Sequence, residues 1–114
     1  MKFETVDLFD KQFKKLSKKY NLIKNDLISF VSDFETSHQL STRIKTNLYK
    51  TRISNSNKNK GKSAGYRVYY YVKIEDTIYL LSIYDKSEIS MIDEKILNKY
   101  IEEIIEEKQS KSFL

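Results

Sequence analysis

Residues 66–74 constrain the fold more than any other stretch, because their side chains alternate as they do in a β-strand. One side would carry Tyr66, Val68, Tyr70, Val72 and Ile74, and the other would carry Arg67, Tyr69, Tyr71 and Lys73. The next two residues, Glu75 and Asp76, suit a tight turn, and residues 77–84 read as a returning strand. Both glycines, Gly61 and Gly65, come just before this pair of strands, where a loop must enter the first one. The sequence therefore predicts an antiparallel β-hairpin.

Helical spacing indicates two helices before this hairpin and one after it. Apolar residues recur at helical intervals over residues 9–20 and 23–34, which predicts a helical hairpin that packs on the sheet. Residues 92–105 show the same spacing and predict a last helix. The polar residues 35–46 are predicted to be irregular, with His38 as a solvated loop residue.

Two further strands complete the predicted α+β fold. Residues 2–6 are short and extended in character, and residues 48–53 alternate. The predicted order of elements is βααβββα, in which the last three strands form an antiparallel meander. The chain is long enough for one domain, residues 1–114. Residues 108–114 are predicted to fray.

The absence of cysteine excludes several kinds of chemistry. Without thiols the chain has no disulfide framework, no thiolate zinc site and no cysteine nucleophile. A single histidine without clustered carboxylates argues against a metal site, so neither a metal nor another cofactor is predicted. The N-terminus lacks the apolar core of a signal peptide and no apolar run is long enough to span a membrane. These features predict a cytoplasmic protein without a membrane partner.

Positive charge is concentrated in residues 36–74, which hold nine lysines and arginines and no acidic residue. If the apolar sides of the strands face the helices, strand alternation places one set of polar side chains on an opposite face that is predicted to be uncovered. This set is Lys50, Arg52, Arg67, Tyr69, Tyr71, Tyr84 and Lys86. Clustered cations repel one another, which predicts an anionic ligand such as phosphate, and tyrosine rings can stack on unpaired bases. Alternatively, the tyrosines are ordinary strand residues and the cations keep the sheet face soluble.

Three segments share an order and spacing that point to a known family. They are residues 48–53 (LYKTRI), 61–68 (GKSAGYRV) and 79–88 (YLLSIYDKSE). With these segments the chain resembles the RelE-like toxins of bacterial toxin–antitoxin pairs and, among them, the HigB-like branch. The resemblance covers most of the chain and implies a small twisted antiparallel sheet packed on an N-terminal helical hairpin.

The resemblance also implies an activity and partners. The implied activity is cleavage of mRNA in the ribosomal decoding site, restrained by a cognate antitoxin that we expect to be a small helix-turn-helix protein encoded next to the toxin. Matched by position, the catalytic candidates are Lys50, Arg52, Arg67, Tyr84 and Lys86. The chain has Ser90, Met91 and Ile92 where RelE carries a tyrosine, and Tyr84 is the candidate for part of that role. The RNA-binding candidates are Lys58, Lys60, Lys62, Tyr69 and Tyr71.

The implied mechanism needs no metal. The 2′-hydroxyl of RNA attacks the adjacent phosphate, which leaves a 2′,3′-cyclic phosphate and a 5′-hydroxyl. Arg52, Arg67 and Lys86 would stabilise the negative charge of the transition state. The base is harder to assign, because lysine and tyrosine have pKa values of about 10.4 and about 10. Neighbouring cations are expected to lower the pKa of either group.

Two other functions suit the same sequence. One is a non-enzymatic binder of the same fold, such as a toxin that inhibits DNA gyrase in the manner of the ParE relatives, or a module that binds nucleic acid. The other is a decayed toxin that is retained only for antitoxin binding. The cluster of Lys50, Arg52, Arg67 and Lys86 argues against gyrase inhibition, since a toxin that binds a protein needs no such cluster.

Overall fold

The chain folds around one mixed five-stranded sheet. The computed structural model describes residues 1–58, 61, 64–73, 76–88 and 92–113, with side chains through residue 106. The described elements are β1 (Lys2–Thr5), α1 (Asp7–Lys19), α2 (Ile23–Ser32), α3 (Phe34–Gln39), β2 (Thr42–Lys45), β3 (Leu48–Ile53), β4 (Tyr66–Lys73), β5 (Thr77–Asp85) and α4 (Glu94–Phe113). The strand order across the sheet is β1-β5-β4-β3-β2. The α+β class is thus confirmed.

The sheet is an antiparallel meander with one parallel strand at its edge. Strands β2, β3, β4 and β5 pair antiparallel in chain order. Strand β1 runs parallel to β5, with Lys2 opposite Thr77. The prediction of a purely antiparallel sheet was therefore wrong at this edge. Parallel pairing needs a long connection, and the elements between β1 and β5 supply it.

The observed order, βαααββββα, contains one helix and one strand more than predicted. Strand β2, and all of helix α3 except its first residue, lie in the segment that was predicted to be irregular. Helix α3 is anchored by Phe34, which is buried in the core. Strand β2 pairs with β3, with Thr42 opposite Lys50. Most side chains of β2 are exposed, so its sequence carries little apolar alternation.

Helices α1, α2 and α3 cover one face of the sheet. Their apolar side chains share a core with the strands, which includes Phe9, Leu16, Ile23, Phe30, Phe34, Tyr66, Val68, Tyr70 and Ile83. The rings of Phe30 and Phe34 pack edge to face, with centroids 5.7 Å apart. The alternating side of β4 that was predicted to face the helices does so.

Helix α4 covers much of the opposite face, which the sequence predicted to be uncovered. A second core lies there, formed by Leu48, Tyr69, Tyr71, Tyr79, Leu81, Tyr84, Leu97, Ile101 and Ile104. The prediction was wrong because the apolar stripe of α4 needs a surface to cover, and the aromatic residues on this side of β4 and β5 provide it. The α4 backbone is helical through Phe113, including most of the tail that was predicted to fray. None of the described helices is long and apolar enough to cross a membrane.

A β-bulge in β5 changes which of its residues face which core. Tyr69 lies opposite Ser82 and Tyr70 lies opposite Leu80, so Leu81 is the extra residue. Strict alternation along β5 would place Tyr79, Leu81 and Ile83 on one face, but the bulge places Tyr79 and Leu81 on the α4 side while Ile83 faces the other helices.

Gly65 allows the start of β4 to lie against the end of β3. A Cβ atom at this position would lie 2.1 Å from the Ile53 carbonyl oxygen. We therefore expect Gly65→Ala to lower the free energy of unfolding by about 2 kcal/mol, as overpacking does. Gly61 has a φ of 78° but open space around it, so Gly61→Ala should cost only about 1 kcal/mol. Urea denaturation measures both values, and equal losses would contradict the steric argument.

Candidate functional site

The four predicted catalytic cations line one groove of about 560 Å³. The groove lies where the end of β3, the start of β4 and the residue after β5 meet. Its described lining is Ser37, Leu40, Thr42, Ile44, Lys50, Thr51, Arg52, Arg67 and Lys86. No acidic residue is part of this described lining. The groove is therefore suited to an anion.

Strand register brings like charges face to face. Arg52 of β3 lies directly opposite Arg67 of β4, which in turn lies opposite Tyr84 of β5. Lys50, two residues before Arg52, shares its side of the sheet. Like charges directly opposite each other destabilise a strand pair. The pairing of Arg52 with Arg67 thus lowers the stability of the free protein, and a bound anion would relieve the repulsion.

Arg67 is a buried cation in the groove. Only 3% of its surface is exposed, and its guanidinium donates a long hydrogen bond of 3.4 Å to the Tyr66 carbonyl oxygen. Burial, followed by repulsion from Arg52, lowers the pKa of Arg67, while Tyr84 and Asp85 act in the opposite direction. Arginine stays protonated in proteins. Arg67 therefore presents a fixed and largely desolvated positive charge.

Lys50 lies partly buried among the other cations of the groove. Its Nζ atom lies 5.6 Å from the centroid of the Tyr69 ring. Burial lowers the pKa of Lys50, and Arg67, Arg52 and Lys86 lower it further by repulsion. This direction agrees with the prediction that neighbouring cations lower the pKa of a groove lysine.

Tyr84 lies beside Arg67 but is poorly suited to act as a base. The side chain is buried, and its hydroxyl makes no hydrogen bond in the described part of the chain. Burial raises the pKa of Tyr84, and this effect outweighs Tyr69 and Arg67, which act to lower it. Arg67 therefore acts in the direction predicted for a neighbouring cation, but burial leaves the pKa of Tyr84 above its usual value.

Tyr69 and Tyr71 are not available as a stacking surface in this structure. They are only 3% and 9% exposed, respectively, because they pack in the second core with Leu97 and Ile101 of α4. Burial also raises the pKa of Tyr69 to about 12. Both residues thus contribute to the second core, and neither ring is exposed for the predicted stacking on RNA bases.

Lys58 is committed to an internal ion pair. Its Nζ atom lies 2.7 Å from Oδ1 of Asp85, whose side chain is fully buried. The hydrogen bond to Asp85 raises the pKa of Lys58, although burial acts against it. Lys58 was predicted to bind RNA, but its ammonium is paired with Asp85 and only partly exposed. Lys60 and Lys62, the other predicted RNA-binding lysines, lie outside the described residues.

Asp85 organises a buried network that the sequence did not reveal. Its carboxylate accepts hydrogen bonds from Lys58 Nζ, from the Ser87 backbone N–H at 2.9 Å and from Asn55 Nδ2 at 3.2 Å. Burial alone would raise the pKa of Asp85, but these hydrogen bonds hold it at about 2. Lys86 lies between the two bonded residues Asp85 and Ser87, so the network fixes the turn that presents Lys86. The sequence feature that could have indicated this network is Asp85 itself, an acidic residue at the end of a mostly apolar strand.

Helix α3 supplies a wall of the groove and was also missed. Its His38 is not a solvated loop residue as predicted, because the ring stacks on Phe34 at 5.4 Å. His38 Nδ1 is hydrogen-bonded to the Tyr70 hydroxyl at 2.7 Å, and that hydroxyl donates to Ser41 Oγ at 2.8 Å. This chain of contacts fixes α3 and the start of β2 on the sheet.

The fold and the groove define a class of protein: a small α+β domain with a cationic groove whose described lining holds no acidic residue. Among the described residues, no three His, Asp or Glu side chains are grouped so as to hold a metal ion. The model of the family described as the RelE toxin of the RelE/RelB toxin–antitoxin system matches residues 8–111. The chain therefore belongs to the RelE toxin family. No curated protein matches it significantly.

Family membership confirms the coarser part of the predicted function. RelE proteins are toxins of toxin–antitoxin systems, and the family implies a cognate antitoxin as partner. Toxins of this family are generally endoribonucleases that inhibit translation.

Proposed function

We propose that this protein is a HigB-like toxin that cleaves mRNA in the decoding site of translating ribosomes. The single observation that carries the proposal is the groove in which Arg52 and Arg67 lie directly opposite each other, together with Lys50 and Lys86. Such a cluster disfavours folding and favours binding of a phosphate. Its partners would be mRNA, the ribosome and an antitoxin, all in the cytoplasm.

The cations would act on the transition state of RNA cleavage. The 2′-oxygen forms a bond to phosphorus as the bond to the 5′-oxygen breaks, and the products are a 2′,3′-cyclic phosphate and a 5′-hydroxyl. Negative charge grows on the phosphoryl oxygens during this step. Arg67 is held by burial and its backbone contact, so it can stabilise that charge without reorganising. Arg52 and Lys86 add charge from the two neighbouring elements.

Lys50 is the best candidate for the base that removes the proton from the 2′-hydroxyl. Its pKa is lowered by burial and by three cations, whereas burial raises the pKa of Tyr84. A base works best when its pKa is near the working pH. An ordinary lysine has a pKa of about 10.4, so this lowering brings Lys50 closer to the range of an efficient base. The proposed need for the ribosome predicts that free RNA is cleaved slowly.

Incubation with programmed ribosomes tests the proposal. The expected result is cleavage of mRNA within the decoding site, with a 2′,3′-cyclic phosphate and a 5′-hydroxyl at the new ends. The same mRNA without ribosomes should be cleaved far more slowly. Growth arrest with intact mRNA and inhibited DNA supercoiling would instead support the gyrase alternative and overturn the proposal.

Arg52→Gln should change stability and catalytic activity in opposite directions. Removing one of two opposed like charges should raise the free energy of unfolding by about 0.5 kcal/mol. The same change should slow mRNA cleavage at least about tenfold, because one transition-state charge is lost. Urea denaturation and ribosome assays measure the two effects. Arg43→Gln is the matched control, since Arg43 is exposed on β2 and lies outside the described groove lining. Parallel loss of stability and activity in Arg52→Gln would contradict this assignment.

A further inference from the structure

The groove has a neutral side as well as a cationic one. Ser37 and Leu40 come from α3 and the turn after it, and Thr42 and Ile44 come from β2. These four residues are defined here as the neutral wall. Thr42 lies directly opposite Lys50 across the β2–β3 pair, a distance of about 5 Å between Cβ atoms. The neutral wall and the cationic side are therefore close enough together for a single nucleotide to contact both.

The neutral wall carries features that folding does not explain. Leu40 is 73% exposed, the largest exposure of any large apolar side chain in the described part of the chain. No hydrogen bond among the described residues uses the side-chain hydroxyl of Ser37 or Thr42. An exposed apolar surface next to free hydroxyl groups is what a nucleobase requires, because a base has an apolar face and a polar edge.

The neutral wall is held in place before any ligand binds. Phe34 anchors α3 in the core, and the His38, Tyr70 and Ser41 hydrogen bonds tie the turn after α3 to β4. On the other side, β2 is held by its antiparallel pairing with β3, and the Lys45 ammonium donates to the Asn98 side chain of α4. A preformed site loses less conformational freedom on binding than a flexible one.

We propose that the neutral wall is a nucleobase subsite, which holds the base of the nucleotide whose phosphate lies on Lys50, Arg52, Arg67 and Lys86. Leu40 covers the face of the base, and the Ser37 and Thr42 hydroxyls contact its edge. The groove volume of about 560 Å³ is in the range of small-ligand sites, about 300–1,000 Å³, and suits one unpaired nucleotide. This inference rests on the proposed RNA-binding function and adds a determinant of base preference.

Binding of short RNAs tests the subsite without requiring cleavage. The probes are uridine heptamers with A, C, G or U at the central position, 2′-O-methylated so that the 2′-oxygen cannot attack. We expect the full chain to bind the four heptamers with Kd values that differ at least about threefold, which is the scale of one neutral hydrogen bond. Leu40→Gln should weaken the tightest of them about tenfold and should reduce the differences among the four.

Matched variants distinguish the loss of the subsite from an effect that the same kind of substitution would have anywhere on the surface. Ile28→Gln removes a comparably exposed apolar side chain from α2 and should leave all four Kd values unchanged. Thr42→Val removes a hydroxyl at one edge of the sheet and should change the order of base preference. Thr5→Val makes the same change on β1, at the other edge, and should have no effect. Circular dichroism should show that all four variants are folded.

The outcomes separate this inference from the proposed function. Equal binding of the four heptamers by the wild type, or unchanged Kd values in Leu40→Gln, would overturn the subsite even if ribosome-bound mRNA is cleaved. Base-dependent binding that is lost in Leu40→Gln would support the subsite. If mRNA on ribosomes then stayed intact, the subsite would stand and the proposed cleavage would be wrong.

Discussion

Arg67→Met is expected to slow mRNA cleavage on programmed ribosomes by about 10²–10³-fold, the usual loss when one preorganised transition-state donor is removed. Arg67 is the most deeply buried of the four groove cations, so water screens its charge least. Methionine keeps most of the apolar volume of the arginine stem, which limits any cavity. Single-turnover cleavage at saturating toxin measures the chemical step directly.

Two further variants sharpen the test of Arg67. Arg67→Lys keeps the positive charge but loses the planar fork of donors, so it should recover only part of the lost rate. Arg43→Met makes the same substitution as Arg67→Met at an exposed position of β2, and it should cleave at the wild-type rate. If Arg67→Met remained folded and cleaved mRNA as fast as Arg43→Met, the role of Arg67 would be wrong.

The cationic side of the groove could be predicted from sequence because it depends on strand alternation alone. Lys50 and Arg52 are two residues apart on β3, and Arg67 is the second residue of β4. Any antiparallel pairing that buries the apolar side of both strands brings these three cations together. The observed register, with Arg52 opposite Arg67, does so. The position of Lys86 could be predicted from the length of β5, because Lys86 comes directly after that strand. The β-bulge at Leu81 changes which face the earlier residues of β5 occupy.

The packing of α4 on this face of the sheet was harder to predict, although the sequence of β4 contained an indication of it. Tyr69 and Tyr71 are aromatic, like Tyr66 and Tyr70 on the other side of the strand, so β4 is apolar on both faces. A strand with this pattern is generally buried on both sides. The sequence pattern of α4 shows that it needs a partner surface but does not say which surface. Only the tertiary structure shows that Tyr69 and Tyr71 meet Leu97 and Ile101.

The neutral wall could not be predicted because few apolar residues mark it. Within residues 35–46 only Leu40 and Ile44 are aliphatic, and Leu40 is exposed. Helix α3 is stabilised by the burial of Phe34 and by the contacts of His38, which are both tertiary effects. Local propensity gives little indication of such elements.

The second large effect is expected at Asp85, where Asp85→Asn should lower the free energy of unfolding by about 3 kcal/mol at pH 7. Breaking a buried ion pair costs this much because the partner charge stays behind without compensation. Here the partner is Lys58, which is only 21% exposed. The buried amide of Asn55 also loses a charged acceptor. Asp76→Asn is the matched control, because Asp76 is exposed, and it should change stability by less than about 0.5 kcal/mol.

The double variant Lys58→Met/Asp85→Asn tests whether the charge left behind causes the loss. Neither charge remains in this protein, so it should be less destabilised than the sum of the two single variants. Additive losses would show that the two side chains act independently. Urea denaturation of the four proteins at pH 7 completes the cycle.

The pH dependence of stability provides an independent test of Asp85. The pKa of Asp85 is about 2 in the folded protein, which is below its value of about 3.9 in an unfolded chain. The folded state therefore favours the ionised form, and the resulting stabilisation of about 2.5 kcal/mol is present above about pH 5 and lost as the pH falls towards 2. Because Asp85→Asn cannot titrate, the stability difference between wild type and variant should shrink over this range. A difference that stays constant from pH 6 to pH 3 would show that the Asp85 carboxylate is not stabilised by Lys58, Asn55 and Ser87.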